Sequence, residues 1–360
     1  MKCGIVGLPL SGKSTLFNIL TGLSSTNQFI NPKREIRRGV ARLEDYRLEA
    51  LAEVSKSLKM TQAVMEFVDI PGISSDKQQR ESYPPSYLAE LHNESMLALV
   101  VREFVNENIP HPLGSIDPER DIQDSMLEFI ISDLSIIERR LVKLSKSSEA
   151  AAKREVKILE ICKDMLESGK SLREHNFTPE EEKILRGYSF LSLKPLLIIL
   201  NIGEESALIS EKLLSELKEK AGLIDDHISW VTAAIGIEAE INTLDEADRN
   251  AFYKDLGFTH STLDRIVQST FDLLGLITFL TTGDKETRAW PIPKGATALK
   301  AASEIHNDIA RGFIRAEVCH WSELVEAGSF KKLKEIGKFR LEGKNYIVSD
   351  GEIVHIRFNI

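Results

Sequence analysis

Residues 7–15 read Gly7-Leu8-Pro9-Leu10-Ser11-Gly12-Lys13-Ser14-Thr15 and satisfy the pattern G-x-x-x-x-G-K-[ST]. No other stretch of the chain constrains its fold so strongly. The glycines let the backbone turn so that successive N–H groups face inward, and a helix opening behind them adds its amino-terminal dipole. Such a cradle takes the oxygens of a nucleotide's phosphates. Lys13 would reach the outer phosphates, and the Ser14 hydroxyl would ligate Mg²⁺. From average residue usage, a chance match in a chain this long has a probability of roughly 0.03. The context fits as well, since residues 3–6 are an apolar run and residues 15–20 carry a helical pattern. Leu10, Ser11, Gly12, Lys13, Ser14 and Thr15 are therefore the candidate nucleotide-binding residues at this end of the chain.

Four further apolar runs predict strands at residues 63–69, 97–101, 196–200 and 228–231. Several are continuously apolar, as expected of strands covered on both faces. Helical segments alternate with them, which implies an α/β fold with a mostly parallel sheet whose ligands bind at the carboxyl ends of the strands. The residues just past each strand are then informative. The second strand ends at Asp69-Ile70-Pro71-Gly72, a place where Asp69 could hold a metal through water and the Gly72 N–H could meet a phosphate. The fourth ends at Asn201-Ile202-Gly203-Glu204, in the position of the N-x-x-acid sequence that reads a purine base. Relative to N-K-x-D, Ile202 replaces the lysine and the longer Glu204 replaces the aspartate. That change weakens the bidentate fit to guanine and leaves adenine unpenalised. The fifth strand runs into Thr232 and Ala233, the remaining candidates at the base end.

Between the third and fourth strands, Ile130, Leu134, Ile137, Leu141 and Leu144 repeat at spacings of four and three. A second helical run carries Ile158, Cys162 and Met165, and the pair predicts an antiparallel helical hairpin inserted at 119–192. Beyond residue 275 the texture becomes β-rich, with Asp350-Gly351 predicting a hairpin between residues 346–349 and 352–358. The expected organisation is a nucleotide-binding domain at 1–118 and 193–275, the hairpin at 119–192 and a small module at 276–360.

Composition narrows the function classes. The 360 residues carry 46 Lys+Arg against 55 Asp+Glu, a net charge of −9, which excludes a globally basic nucleic-acid coat protein. The last 85 residues hold 13 basic and 11 acidic side chains, so the acidity lies in the first 275. Lys331, Lys332, Lys334, Lys338, Arg340 and Lys344 form a basic strip that could meet RNA phosphates or could be an ordinary solvated face. Three scattered cysteines support neither a disulfide partner nor a zinc site. No run approaches the ~18 apolar residues of a membrane helix, and with Gly12-Lys13 reached before any apolar h-region a signal peptide is not expected. A cytoplasmic protein is expected.

Taken together, these motifs resemble the YchF / Obg-like ATPase family of P-loop NTPases along essentially the whole chain. The matching stretches are GIVGLPLSGKSTLFNILT (4–21), EFVDIPG (66–72), DPERDI (117–122), KPLLIILNIGEE (194–205) and AAIGIEAEINTLDEADR (233–249). The strongest are TTGDKETRAWPIPKGATALKAASEIHNDIARGFIRAEV (281–318) and GKNYIVSDGEIVHIRFNI (343–360). The resemblance implies a P-loop NTPase domain with an inserted hairpin and a carboxyl-terminal TGS domain of β-grasp, ubiquitin-like fold. It also implies ATP in preference to or alongside GTP, with Mg²⁺, and an association with ribosomes or RNA through the hairpin and the TGS domain.

The departures from that family fall on the working parts. In the family's F-L-x-H-I-R-E sequence the histidine position is Glu90, with His92 two residues on. These two are the catalytic candidates, although a carboxylate there would repel the outer phosphate. The first-switch threonine aligns with Lys33, which cannot ligate Mg²⁺, and residues 73–80 lack the glycines of the family's second switch loop. The expected function is a slow ATPase or GTPase whose nucleotide state controls ribosome or RNA engagement. The alternative is a nucleotide-binding regulatory module with little or no hydrolysis. A small-molecule kinase is a distant third, because no acceptor site or lid signature is visible.

Overall fold

The computed structural model describes residues 1–23, 36–71, 85–146, 149–223, 226–244, 248 and 261–359. By compactness the chain forms two units, one of residues 1–40 and 66–273 and the other of residues 41–65 and 274–360.

The first unit is built on a sheet whose described strands are β1 (Lys2–Val6), β2 (Arg37–Leu43), β4 (Ala63–Asp69), β5 (Met96–Arg102), β6 (Leu196–Asn201) and β7 (Ile228–Ala233), with β3 (Met60–Thr61) belonging elsewhere. Their order is β2-β4-β1-β5-β6-β7, and the registers from β4 to β7 are parallel. The chain leaves β1 to build one side of the sheet through β4, then crosses to β5 on the other. That makes the carboxyl end of β1 a topological switch point, where α/β sheets open a ligand crevice. Every residue of β5 and β6 is buried, which explains their unbroken apolar sequences. Val6, Val68, Leu99, Ile198, Leu200 and Phe129 share one core.

The helical insertion forms as its periodicity predicts. Helices α1 (Lys13–Thr21), α2 (Arg47–Ser55) and α3 (Pro85–Asn93) precede the two long ones, α4 (Pro118–Leu144) and α5 (Ala150–Glu167). Asp117 caps α4 by accepting from the Arg120 N–H at 3.1 Å, with Pro118 in the first turn. Ile130, Ile137 and Leu144 are buried against Ile158, Leu159, Cys162 and Leu166, while Leu134 and Leu141 flank the seam. Asp133, fully buried in α4, accepts from the N–H groups of Leu191 and Ser192 at 2.9 and 2.8 Å and so fastens the chain's return toward β6. Cys3, Cys162 and Cys319 are buried free thiols, and burial pushes their pKa values up.

The second unit carries β8 (Leu276–Thr281), β9 (Thr287–Pro293), β10 (Phe313–His320), β11 (Arg340–Glu342) and β12 (Glu352–Phe358) in the order β11-β10-β12-β8-β9-β3. β12 lies antiparallel to β10 and parallel to β8, and Ala298, Ala301 and Ala302 of the helix at Ala298–Ile305 let it lie close on that sheet.

Two expectations need correction here. The segment joining β2 to β4, residues 44–62, which the sequence placed within 1–118, groups with the carboxyl-terminal module instead. Arg47 bridges Asp45 and Asp350 at 2.7 Å, Ser57 Oγ donates to the Gly283 carbonyl at 2.6 Å, and β3 pairs with β9. The Asp350-Gly351 turn also closes no hairpin between 346–349 and β12. Asp350 Oδ1 instead accepts the Thr278 N–H at 2.8 Å, and the Gly351 N–H donates to the Thr278 carbonyl at 2.9 Å. The turn is tied to β8, to Arg47 and to the Trp321 N–H, while Tyr346 and Val348 bond to Ala298 and Ala296 around an isolated bridge from Ile347 to Thr297.

Candidate functional site

The phosphate-loop sequence occupies the switch point between β1 and α1. Gly7 and Gly12 hold φ values of 136° and 102°, conformations that L side chains rarely adopt. Space forbids a side chain there too: a Cβ on Gly7 would stand 2.3 Å from the Val100 carbonyl oxygen, and one on Gly12 would stand 2.4 Å from Asn201 Nδ2. The loop therefore lies directly on β5 and on the end of β6.

Lys13 is buried, and its Nζ donates to the Leu8 carbonyl at 2.6 Å, spanning its own loop. Burial pulls its pKa down to about 8, with Asp69 acting in the opposite sense. A shift of that size corresponds to a desolvation cost on the order of 3 kcal/mol, which an incoming anion would relieve. Ser14 Oγ donates to Asp69 Oδ2 at 3.0 Å, joining the start of α1 to the end of β4. The other carboxylate oxygen, Oδ1, is buried without a hydrogen-bond partner among the described residues. A hydroxyl beside a carboxylate with an open oxygen is the donor set a hard, oxygen-preferring divalent cation requires, so these residues fit Mg²⁺. Ser11 and Leu10 complete the loop, with Ser11 buried and Leu10 exposed at φ 63°, and Thr15 is exposed in the first turn of α1.

At the other end, Asn201 clamps the loop. Its Nδ2 donates to the Ser11 carbonyl at 2.9 Å, and its Oδ1 accepts the Ile235 N–H at 3.2 Å where α8 begins, α6 and α7 being Pro179–Leu185 and Ser210–Ala221 and α8 being Ile235–Ile241. Ile202 needs correcting as a ligand side chain: it is buried in the core, and its N–H is tied to the Ala233 carbonyl at 3.0 Å. Glu204 is exposed at the start of a short 3₁₀ turn. Thr232 and Ala233 are buried at the end of β7, with the Thr232 carbonyl accepting from Arg265 at 3.0 Å.

Glu90 and His92 are not brought to the phosphate loop. They lie in the last turns of α3, which hands the chain to the amino end of β5. His92 Nδ1 meets the Ser189 carbonyl at 2.9 Å and its Nε2 meets Ser132 Oγ at 3.4 Å, while Glu90 is ion-paired to Arg38. The Ser95 N–H bonded to the Lys2 carbonyl fixes this turn at the edge where β1 starts, opposite the edge that carries Lys13. The family alignment placed them by sequence, and the direction of α3 removes them. Gly72, Lys33 and the loop 73–80 lie outside the described residues.

Three groups beside the loop carry no signal in the motifs. Arg37, opening β2, donates from Nε to Asp69 Oδ2 at 3.2 Å and from Nη1 to Asn18 Oδ1 at 3.0 Å. The His111 side chain is buried and paired with Asp121 at 3.0 Å, and Asp121 joins Leu8, Ser11 and Arg102 in lining a small void behind the loop. Arg102 is buried there, its Nη1 unpartnered among the described residues. Asp121 stands inside the DPERDI stretch, but His111, Arg102 and Arg37 have no periodicity or spacing that marks them.

A family model described as a 50S ribosome-binding GTPase matches residues 2–141, and a YchF-GTPase carboxyl-terminal model, described as a protein of unknown function (DUF933), matches residues 276–359. The Ribosome-binding ATPase YchF of Pasteurella multocida (strain Pm70) is 40% identical over 366 residues, covering 100% of this chain and 99% of that protein. Its namesake from Bacillus subtilis (strain 168) is 35% identical over 370 residues, covering all of both chains. Among solved structures, the Schizosaccharomyces pombe YchF GTPase superposes with a TM-score of 0.84 at 25% identity, covering 99% of this chain and 97% of that one.

Proposed function

The chain belongs to the YchF family of P-loop NTPases, and from that premise we propose that it binds a purine nucleoside triphosphate in the 7–15 loop and couples the bound state to ribosome or RNA engagement. The observation that carries this reading is the cradle itself: two glycines that exclude any Cβ, a buried Lys13 that among the described residues has no charged partner in hydrogen-bond contact, and Asn201 bracing the loop from behind. Phosphate oxygens supply what Lys13 lacks, and the Ser11–Thr15 N–H groups at the head of α1 orient them. Mg²⁺, when bound, neutralises phosphate charge, with Ser14 holding it directly and Asp69 through water. Asn201 sets the loop's position relative to the base, and exposed Glu204 remains the group for an exocyclic amine. ATP, alone or alongside GTP, is the proposed nucleotide. The hairpin and the TGS-like unit are the proposed surfaces for ribosome or RNA.

Turnover is proposed to be slow. The catalytic candidates from the family alignment face away from the loop, and Asp69 already carries Arg37. These same facts favour the second reading, a nucleotide-binding regulator with negligible hydrolysis. The basic strip gives limited support to RNA contact, since Lys334 pairs with Glu317, Lys338 with Glu323 and Glu326, and Arg340 with Glu352. No helix among the described residues is long and apolar enough to cross a membrane. Single-turnover hydrolysis of ATP with and without ribosomes separates the readings. Phosphate release that ribosomes accelerate supports the coupled ATPase, and none in either condition selects the regulator.

A further inference from the structure

Arg37 is seated on Asp69, the carboxylate that the proposed metal site would use. Its guanidinium donates to Asp69 Oδ2 from two nitrogens and to Asn18 Oδ1 from the third, and it lies 4.8 Å from the centroid of the Phe17 ring. Asn18 and Phe17 sit in α1 behind the phosphate loop, so the helix that would bind phosphate also holds the arginine in place. The Asp69 side chain is 6% exposed, whereas that of Arg37 is 33% exposed and keeps an open face toward solvent. Asp69 Oδ2 also accepts from Ser14, the hydroxyl expected to bind metal. A planar, permanently charged fork is thus seated on Asp69, the carboxylate that the proposed metal site shares with Ser14.

Two cations on one carboxylate repel each other, and the arginine is covalently present at full effective concentration. We propose that Arg37 is a built-in counter-cation that takes over part of the charge neutralisation otherwise supplied by Mg²⁺, so that this chain binds its nucleotide with little dependence on the metal. The inference rests on the nucleotide-site reading above and deepens it. Arg37 acts here as a specificity-determining residue: it sets how far triphosphate binding requires the divalent cation. Its planar donors match phosphate oxygens as well as carboxylate oxygens, so arrival of the nucleotide can redirect the open face without releasing Asn18.

The test is equilibrium binding of fluorescently labelled ATP to the full chain, in excess Mg²⁺ and in EDTA. The wild type is expected to lose less than about tenfold in affinity when Mg²⁺ is removed. Arg37→Gln is expected to bind at least as tightly in Mg²⁺ but to weaken by more than about a hundredfold in EDTA, and Arg37→Lys, which keeps the charge without the fork, to fall between. If Arg37→Gln does not fold, Asn18→Ala, which loosens the fork alone, is expected to raise the EDTA-to-Mg²⁺ ratio of dissociation constants about threefold to tenfold. A steep Mg²⁺ dependence in the wild type, or a ratio unchanged by these substitutions, overturns the role of Arg37 while leaving the nucleotide site standing. Absence of wild-type binding in both conditions overturns the nucleotide site and this inference together.

Discussion

The two edges of the first unit's sheet both bury a lysine and a carboxylate, and they treat them differently. At the carboxyl edge stand Lys13 and Asp69; at the amino edge stand Lys194 and Glu94. Burial pulls both lysines down to about 8. Lys194, however, donates to the carbonyls of His92, at 3.1 Å, and Glu94, so it is spent on the turn that joins α3 to β5. Lys13, among the described residues, has only the Leu8 carbonyl of its own loop as a hydrogen-bond acceptor. Among the carboxylates, Asp69 collects Ser14 and Arg37 and still keeps one oxygen open. Glu94 is buried with Glu90 beside it, and burial followed by that neighbouring charge raises its pKa to about 7, with Lys2 pulling the other way. Equal burial therefore does not mean equal purpose. The amino-edge lysine is spent on backbone carbonyls of the fold, whereas Lys13 at the carboxyl edge spans only its own loop among the described residues, which is the arrangement a ligand could complete.

The largest expected contrast comes from adding a Cβ at each edge. Gly12→Val meets Asn201 at the carboxyl edge and forces a β-branched residue to φ 102°. ATP affinity is expected to fall by more than about a hundredfold in equilibrium titration. Gly4→Ala, whose Cβ would stand 3.1 Å from Glu94 Cγ, is expected to leave affinity within about twofold while costing about 1 kcal/mol of stability. Equal losses of affinity at both sites would erase the comparison.

Protonation sharpens it further. Phosphate requires Lys13 charged, whereas the free site releases that proton above about 8. Affinity for ATP is expected to be flat below pH 8 and to fall as pH rises, by up to about tenfold per unit until the bound-state pKa is reached. Titrations between pH 7 and 10 check this, and proton uptake seen as buffer-dependent binding heat gives the same answer. The last contrast, confined to stability, belongs to Glu94. Its folded pKa lies above the unfolded value, so wild-type stability declines as pH rises from about 4.5 to about 7 and then levels off. Glu94→Gln removes that decline and is expected to gain about 1–3 kcal/mol on the wild type between pH 4.5 and pH 8 in urea unfolding, with ATP affinity unchanged.

Much of this architecture is legible in the sequence because it rests on local pattern. The strand at Ala63–Asp69 has the predicted bounds, and the 130–144 periodicity marks the hairpin seam. Asn201 and Asp69 end their strands beside the 7–15 loop, Asn201 bonding the Ser11 carbonyl and Asp69 the Ser14 hydroxyl. The failures share one physical cause, contacts between residues far apart in sequence. Arg47 meets Asp350 across 303 positions, so nothing near residues 44–62 signals that they group with the carboxyl-terminal module. Asp350-Gly351 reads locally as a hairpin, yet the turn is tied to Thr278, to Arg47 and to the Trp321 N–H. Glu90 and His92 are placed by alignment alone, which says nothing of where α3 delivers them. Arg37, inside the charge-rich stretch 33–38, reads as a solvated residue until Asp69 and Asn18 are folded onto it.

Lys13 carries the central claim. Isothermal titration of the full chain with ATP and Mg²⁺ is expected to give saturable binding at one site per chain, and Lys13→Ala, with its fold confirmed by an unchanged circular dichroism spectrum, is expected to show no measurable binding. Equal affinity in the two proteins would contradict the assignment of the 7–15 loop as the nucleotide site.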